Sequence, residues 1–393
     1  MRLLAILGLC FLSACAAIPP ASKPEVVVPE AGKPTQAEVL APPAESPAQA
    51  LQLADWSEIS AWGEGEQIHA WEAFQHSCST LKRQAAWASV CEAASFISAQ
   101  PDLVRRFFEN HFLPYRVTNP DKSRLGMITG YYEPLLNGSR TRTSRFRYPI
   151  YGPPSDLLTI DLASVYPELK GMRLRGRLQG NKIVPYYNRA EIESGAAPVR
   201  GAELYWVDDA VDLFFLQIQG SGKIRLPGGE LVRIGYADQN GFPYKSVGKV
   251  LVERGELTLD KASMQGIKDW AKRNPNKLNE LLNANASYVF FRELPSQLSG
   301  PLGALGVPLT EGRSLAVDPR SIPLGAPVFL MTTWPNENRS LNRLMMAQDT
   351  GGAIKGAVRA DFFWGFGPEA GKLAGSMKQN GRMWVLLPKG YVF

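Results

Sequence analysis

From about Arg116 to its C-terminus, the chain is a succession of short apolar runs separated by glycine and proline turns. The runs are MITGYYEPLL, YPIYGPP, AELYWVDDAVDLFFLQIQGSG, KIRLPGGELVRIGYADQNGFPYK, APVFLMTTW and RMWVLLPK. Apolar and aromatic runs bounded by turn residues are typical of strands, and both Pro227-Gly228-Gly229 and Asn240-Gly241 are hairpin signals. This part of the fold is therefore predicted to consist mostly of β-strands.

Two stretches depart from this pattern. From Ile68 to Leu113, and again over Ser246–Arg254 and Thr258–Leu282, apolar residues recur at spacings of three and four, which is typical of amphipathic helices. The predicted class is mostly β with helical additions, compatible with a barrel that carries an inserted domain. A length of 393 residues is enough for two or three domains.

The N-terminus has the features of an export signal. Residues 1–15 carry one basic residue, an apolar run and a small-residue exit, too short for a membrane span. Leu12-Ser13-Ala14-Cys15 resembles a bacterial lipobox, which predicts lipidation of Cys15; a plain signal with a chance cysteine is the alternative. Ala16 after the cysteine resembles the sorting signal for the outer membrane. The expected location is the periplasmic face of that membrane, with the lipid in its inner leaflet.

A segment rich in proline and alanine follows, over residues 16–50. It contains eight prolines and nine alanines and no apolar periodicity, so it is predicted to be a tether. An extended proline-rich chain spans about 3.1 Å per residue, so this segment could reach about 100 Å from its anchor.

The remaining cysteines, Cys78 and Cys91, lie in the first helical stretch. In an exported protein they can form a disulfide between two packed helices, although two buried thiols are the alternative. The three histidines have no zinc-ligand spacing, so no metal site is expected. The net charge of +6 is spread along the chain and does not indicate nucleic acid as a partner.

The stretch AQDTGGAIKGAVRADFFWG, residues 347–365, is compatible with several kinds of site. Asp349-Thr350-Gly351 resembles an aspartic-protease triplet, but such an enzyme needs two copies and Asp318-Pro319-Arg320 is not a second one. Lys355 is followed by glycine rather than serine or threonine, which excludes a phosphate loop. Ser221 lies between glycines without a nucleophile elbow, so serine catalysis is not favoured either.

Carboxylate chemistry on a polysaccharide remains. Tyrosines, tryptophans and amides that suit sugar rings are frequent in the β region, although most tyrosines there are expected to be half-buried strand residues. A single carboxyl group suffices if the substrate supplies its own attacking hydroxyl, as a muramyl C6-OH can. Asp361 precedes Phe362-Phe363-Trp364, surroundings that should raise its pKa. Asp349 and Asp318 look more like turn residues that accept backbone hydrogen bonds.

These motifs together resemble one family. SLAVDPRSIPLG, AQDTGGAIKG and RADFFWGFGPEAG resemble the three-aspartate barrel of the membrane-bound lytic murein transglycosylase A (MltA) family, and ITGYYEP, YPIYGPP, DLFFLQIQGSG, GYADQNGFPYKSVGKVL and ASYVFFRE agree with it. The resemblance runs from about Trp56 to Pro388. It implies a double-psi β-barrel domain (51–133 and 292–393, with N-terminal helices), an inserted β-rich substrate-binding domain (134–291) and a groove between them.

The resemblance also implies an activity: exolytic cleavage of the MurNAc-β-1,4-GlcNAc bond, leaving a 1,6-anhydromuramyl end without metal or cofactor. Asp361 matches the single catalytic acid, acting then as base. The expected substrate-binding or supporting residues are Asp349, Asp318, Thr129, Tyr131, Glu133, Gln217, Gln219, Ser221 and Lys355. The expected partners are peptidoglycan strands, with cell-wall synthesis or divisome proteins as further candidates.

Two departures from the family pattern stand in the same region. Some members have one residue fewer between the last two aspartates, which affects the loop Ala357–Arg359, and Glu133 stands where a small polar residue is expected.

Two other functions are compatible with the same residues. One is a non-catalytic peptidoglycan-binding lipoprotein, and the other is an ordinary hydrolase.

Overall fold

The structure, a computed structural model, describes residues 47–169 and 172–393. The predicted signal peptide, Cys15 and the predicted tether up to residue 46 lie outside the described residues. The last four tether positions are the short helix Pro47–Ala50, and Ala50 is buried, so the folded part begins earlier than predicted. Within the described ranges, no helix is both long and apolar enough to cross a membrane.

The helices and strands of the described residues have the following bounds. The helices are α1 (Pro47–Ala50), α2 (Trp71–Leu81), α3 (Ala85–Ala94), α4 (Pro101–His111), α5 (Arg189–Glu193), α6 (Ala210–Gln219), α7 (Val247–Glu253), α8 (Met264–Arg273), α9 (Leu278–Asn283) and α10 (Gly367–Ser376). The strands are β1 (Leu51–Leu53), β2 (Phe112–Val117), β3 (Gly126–Glu133), β4 (Leu135–Ser139), β5 (Tyr148–Tyr151), β6 (Leu158–Thr159), β7 (Arg175–Gln179), β8 (Lys182–Pro185), β9 (Glu203–Val207), β10 (Ser221–Arg225), β11 (Leu231–Gln239), β12 (Val289–Glu293), β13 (Ser314–Val317), β14 (Pro327–Thr333), β15 (Ser340–Asp349), β16 (Ala360–Phe366) and β17 (Lys378–Pro388).

The first sheet closes on itself. Its strand order is β1-β2-β17-β14-β15-β13-β16-β3, and β17 also pairs with β3, so β17, β14, β15, β13, β16 and β3 form a ring. Strand β3 comes from the first third of the chain, whereas its neighbour β16 comes from the end. Their parallel pairing brings chain segments that are distant in sequence together at one edge of the ring.

Two further sheets lie between Leu135 and Glu293 in the sequence. One has the order β12-β11-β10-β4-β9-β5, and the smaller one has the order β6-β7-β8. Helix α6 packs on the larger of the two, and helices α7 to α9 share a buried apolar cluster with α6. The predicted class, mostly β with helical additions, is confirmed.

Helices α2 to α4 cover the ring with an aromatic layer. Trp71, Phe74 and Phe108 are buried and lie within 6.0 Å of one another by ring centroid. Each large apolar side chain contributes about 1.5–3 kcal/mol when fully buried, so this layer ties the helices to the sheet. Cys78 in α2 and Cys91 in α3 form a disulfide with a Cα–Cα distance of 5.3 Å.

Two local predictions were wrong. Ala210–Gln219 was expected to be part of a strand run but is helix α6, which begins where the Asp209 side chain accepts hydrogen bonds from the backbone NH groups of Val211 and Asp212. Helix α6 is covered on one face by helices and on another by the second sheet, so six of its ten residues are buried and its apolar residues do not form a single stripe.

The second error concerns Asn240-Gly241, which does not form a hairpin. Strand β11 ends at Gln239, and the chain runs on into helices α7 to α9 before β12 returns to pair with β11. The Asn240 side-chain amide instead donates hydrogen bonds to the backbone carbonyls of Tyr187 and Ala286, each at 2.9 Å. These bonds hold the chain after β11 against two other segments.

Candidate active site

Strand β13 brings the two aspartates of the C-terminal stretch together. Its residue Ala316 pairs with Asp361 of β16 on one side and with Asp349 of β15 on the other. On the far side of β16, Asp361 pairs with Thr129 of β3. Four neighbouring strands, in the order β15-β13-β16-β3, therefore place both carboxyl groups and one hydroxyl at the same edge of the ring.

Asp361 is held through one of its two oxygens. The Thr129 hydroxyl donates to Asp361 Oδ1 at 2.5 Å, and Arg359 Nη2 donates to that hydroxyl at 2.8 Å. Within the described part of the chain, Oδ2 forms no hydrogen bond and is available to a substrate. Burial raises the pKa of Asp361, against the lowering effects of Thr129 and Arg359. The direction agrees with the expectation from the aromatic residues that follow it.

Asp349 accepts backbone hydrogen bonds in a turn and also has a raised pKa. Its Oδ1 accepts hydrogen bonds from the backbone NH groups of Thr350 and Ala304, each at 2.9 Å, as expected of a turn aspartate. Burial nevertheless raises its pKa to about 6, and the neighbouring charge of Asp361 acts in the same direction. Asp349 is therefore closer to a titratable active-site group than the sequence alone predicted.

A buried apolar cluster explains why the pKa values of Asp349 and Asp361 are both raised. Tyr131, Leu309, Ala316, Ile354 and Phe363 form a buried cluster beneath the two carboxyl groups. Apolar surroundings disfavour the charged form of a carboxyl group, which raises its pKa. The hydroxyl of Tyr131 is buried without a hydrogen bond of good geometry, and burial together with the charges of Asp349 and Asp361 raises its pKa.

Asp318, the third aspartate, is a structural anchor for the loop between the other two. It is buried and accepts hydrogen bonds from Arg320 Nη2 at 2.8 Å and from the backbone NH of Gly356 at 2.9 Å. Burial acts to raise its pKa, but these hydrogen bonds outweigh burial and the pKa is lowered. Asp318 is thus ionised at neutral pH, and Lys355, beside Gly356, is exposed.

The residues predicted from LQIQGSG occupy different environments. Gln219 Oε1 accepts a hydrogen bond from the backbone NH of Tyr132 at 3.0 Å, which joins α6 to β3. Gln217 is buried, and its Oε1 accepts a hydrogen bond from Arg189 Nη2. Ser221 is also buried, at the start of β10.

Glu133 does not line an open groove as an unpaired carboxylate. It is only 1% exposed, and its oxygens lie 2.9 Å from Arg233 Nε and 3.9 Å from Lys223 Nζ. Both cations belong to the second sheet, whereas Glu133 ends β3 of the first. The residue therefore links the two sheets electrostatically.

Two arginines near the aspartates were not predicted. Arg359 contacts Thr129, and its place two residues before Asp361 could have indicated this. Arg173 Nη2 donates to Thr350 Oγ1 at 3.1 Å, from just before β7 of the small sheet. Nothing in the sequence near Arg173 indicates that contact, because it depends on how the small sheet is placed.

The described residues contain no group of three or more His, Cys, Asp and Glu side chains that could hold a metal ion. An open cavity of about 570 Å³ elsewhere is lined by Arg145, Arg147 and Asp208 among others, and it includes none of the predicted site residues. At the ring edge, the structure places two carboxyl groups with raised pKa values, those of Asp349 and Asp361.

Two family models and several known proteins match this chain. Residues 127–292 match the MltA specific insert domain, and residues 313–387 match the 3D domain. The membrane-bound lytic murein transglycosylase A of Vibrio cholerae is 34% identical over 275 residues, which are 68% of this chain and 66% of that protein. The match thus spans just under two thirds of that relative's length.

Solved structures cover more of the fold. MltA from Neisseria gonorrhoeae is 39% identical with a TM-score of 0.76, covering 89% of this chain and 98% of that one. Escherichia coli MltA with bound chitohexaose is 29% identical with a TM-score of 0.63, covering 88% of this chain and 96% of that one.

Proposed function

Because the chain belongs to the membrane-bound lytic murein transglycosylase A family, we propose that it is a peptidoglycan lytic transglycosylase. It cleaves the MurNAc-β-1,4-GlcNAc bond exolytically and leaves a 1,6-anhydromuramyl end. The observation that carries this proposal is Asp361, a carboxyl group with a raised pKa, one anchored oxygen and one free oxygen. A group that must first donate and then accept a proton needs those properties.

The proposed reaction balances without water. Asp361 donates its proton to the glycosidic oxygen, and the bond between that oxygen and muramyl C1 breaks. The resulting carboxylate takes the proton of the muramyl C6 hydroxyl, whose oxygen attacks C1 and closes the 1,6-anhydro ring. The proton is back on Asp361 at the end, so one carboxyl group serves both steps.

The neighbours of Asp361 have supporting roles in this proposal. Thr129, itself held by Arg359, fixes Oδ1 so that Oδ2 faces the substrate. The two carboxyl groups oppose each other's ionisation, and the charge of Asp361 helps to raise the pKa of Asp349. A negative charge on Asp349 would stabilise the positive charge that develops on the sugar ring in the transition state.

The larger organisation is part of the proposal. Residues 51–133 and 292–393 form the barrel domain, residues 134–291 form the substrate-binding insert, and the glycan lies between them. Two contacts near the aspartates support this location. Gln219 contacts Tyr132, and Arg173 contacts Thr350, so each contact joins the insert to the barrel domain. Lipidation at Cys15 would hold the enzyme at the periplasmic face of the outer membrane.

Hydrolysis is a second candidate function, favoured by one observation. Asp349 is a second carboxyl group with a raised pKa beside the proposed acid, and hydrolytic glycosidases use two such groups. In that reaction Asp349 would activate a water molecule, and the product would be a reducing muramic acid.

Digestion of murein sacculi decides between the candidates. We expect the chain lacking residues 1–15 to release anhydromuropeptides, and Asp361→Asn to bind glycan while losing about 10³-fold or more of the cleavage rate. Mass spectrometry reads the product directly: one heavier by a water molecule would mean hydrolysis.

The matched variant is Asp349→Asn, which should lose less activity than Asp361→Asn. Equal or greater loss would reverse the two roles. Full activity of Asp361→Asn would exclude it as the acid. Glycan binding by the unaltered chain without any cleavage would leave a non-catalytic binding protein.

A further inference from the structure

Three exposed cations gather beside the aspartates: Arg173, Arg320 and Lys355. Arg173 reaches the site from the small sheet and donates to Thr350 Oγ1 at 3.1 Å, and the backbone NH of Thr350 donates to Asp349 Oδ1 at 2.9 Å. Its guanidinium is therefore separated from a site carboxyl group by a single residue.

Lys355 and Arg320 are placed by Asp318. The Asp318 side chain binds the backbone NH of Gly356, next to Lys355, at 2.9 Å, and it pairs with Arg320 at 2.8 Å. One buried carboxylate thus holds both the loop that carries Lys355 and the side chain of Arg320.

The charge of this cluster is not balanced within the described ranges. Asp318 neutralises Arg320, whereas neither Arg173 nor Lys355 has a carboxylate within ion-pair distance there. Burial lowers the pKa of Lys355, the charge of Asp318 acts to raise it, and the like charges of Arg320 and Arg173 act to lower it. Lys355 is therefore close enough to both arginines to be repelled by them, and a bound anion would relieve that repulsion.

The chemistry of the substrate indicates which anion fits. The glycan backbone of murein is uncharged, and its negative charges are carboxylates on the side chain at muramyl C3. They belong either to the stem peptide or, where the peptide is absent, to the free lactyl group. Resting on the proposed function, we propose that Arg173, Lys355 and Arg320 form a subsite for the carboxylates carried by the muramyl side chain.

The subsite would add selectivity to cleavage. Because the cations lie next to Asp349, the side chain that they bind belongs to a muramyl residue close to the bond being cut. Exposed ion pairs contribute modestly, so we expect two unneutralised cations to improve binding by about 3- to 10-fold.

Binding measured without cleavage provides the test. In Asp361→Asn protein, dissociation constants are determined at about 0.05 M salt for three oligomers of equal length: chitin, which is uncharged; peptide-free murein; and peptide-bearing murein. Peptide-bearing murein should bind about 3- to 10-fold tighter than chitin. Adding Arg173→Gln and Lys355→Gln should abolish that ratio, because it should weaken the binding of peptide-bearing murein more than the binding of chitin. Lys182→Gln, on an exposed lysine of the small sheet, is the matched control and should preserve the ratio.

The outcomes separate this inference from the proposed function. Tight binding of peptide-free murein as well would identify the lactyl carboxylate as the ligand and still support the subsite. Equal binding of all three oligomers, or a ratio that survives in the double variant, would overturn it. Neither result depends on cleavage, so a chain that cuts murein without this selectivity refutes the subsite alone. Selective binding without cutting refutes the transglycosylase alone.

Discussion

Replacing Asp349 by Asn should stabilise the protein at neutral and alkaline pH and have little effect in acid. The folded state holds the Asp349 carboxyl group in an apolar site where its pKa is about 6, against 3.8 for the ordinary group. Such a raised pKa contributes stability that is fully present below the unfolded pKa and is lost as pH rises through the folded one. Asparagine carries no charge at any pH and keeps an oxygen for the backbone NH groups of Thr350 and Ala304.

The magnitude follows from the shift. A difference of about two pKa units corresponds to about 3 kcal/mol in the free energy of unfolding once pH is well above 6. About 1 kcal/mol of this is already lost at pH 4.5, because the unfolded carboxyl group is largely ionised there. Between pH 4.5 and pH 8 we therefore expect the wild type to lose up to about 2 kcal/mol relative to Asp349→Asn.

Urea unfolding of both proteins at pH 4.5, 6 and 8, with the disulfide intact, measures this difference. The difference in free energy should grow with pH in favour of the variant and level off above about pH 7. Both proteins have the same surface charges, so the difference reports the Asp349 carboxyl group together with its interaction with Asp361. A gap that is independent of pH, or a variant that is less stable at pH 8, would refute the explanation by burial.

Three further predictions concern neighbouring features. Thr129→Val removes a hydrogen bond that lowers the pKa of Asp361, so the alkaline limb of the pH–rate profile should move up by about half to one unit; an unmoved or lowered limb would contradict this. Glu133→Gln leaves two largely buried cations without a counter-charge and should cost about 2–3 kcal/mol in urea unfolding, whereas an unchanged midpoint would show that the link is dispensable. Reducing the disulfide between Cys78 and Cys91, which are 13 residues apart, should cost about 3 kcal/mol, as compared by unfolding with and without reductant; no change would show that the bond adds nothing to stability.

The helices illustrate which local structures the sequence reveals. Helices α2 to α4 and α7 to α9 each cover a core with one face, so their apolar residues repeat at helical spacing and the elements were predicted correctly. Helix α6 is buried on both sides, so it has no polar face and its sequence resembles that of a buried strand. The spacing of apolar residues therefore identifies a helix that has one covered face. It does not identify a helix that is covered on both faces.

Contacts between side chains were predicted less well than elements. No sequence pattern predicted that Arg189 donates a hydrogen bond to the side chain of Gln217. Glu133 was expected near the groove, and the second sheet supplies two cations that enclose it. In both cases the partner comes from a segment far along the chain, which periodicity and local motifs cannot identify.

The sequence by itself determined the chemical character of this protein: the aspartate-containing motifs, the aromatic run that follows Asp361 and the direction of its pKa shift. Only the tertiary structure decided how these groups meet. Ala316 separates Asp349 from Asp361 because β13 lies between β15 and β16, pairing parallel with β15 and antiparallel with β16. The pKa of Asp349 is raised because the folded chain buries its carboxyl group. Arg173 contacts Thr350 because the small sheet lies beside the ring. Neither fact can be inferred from the residues that neighbour Asp349 or Arg173 in the sequence.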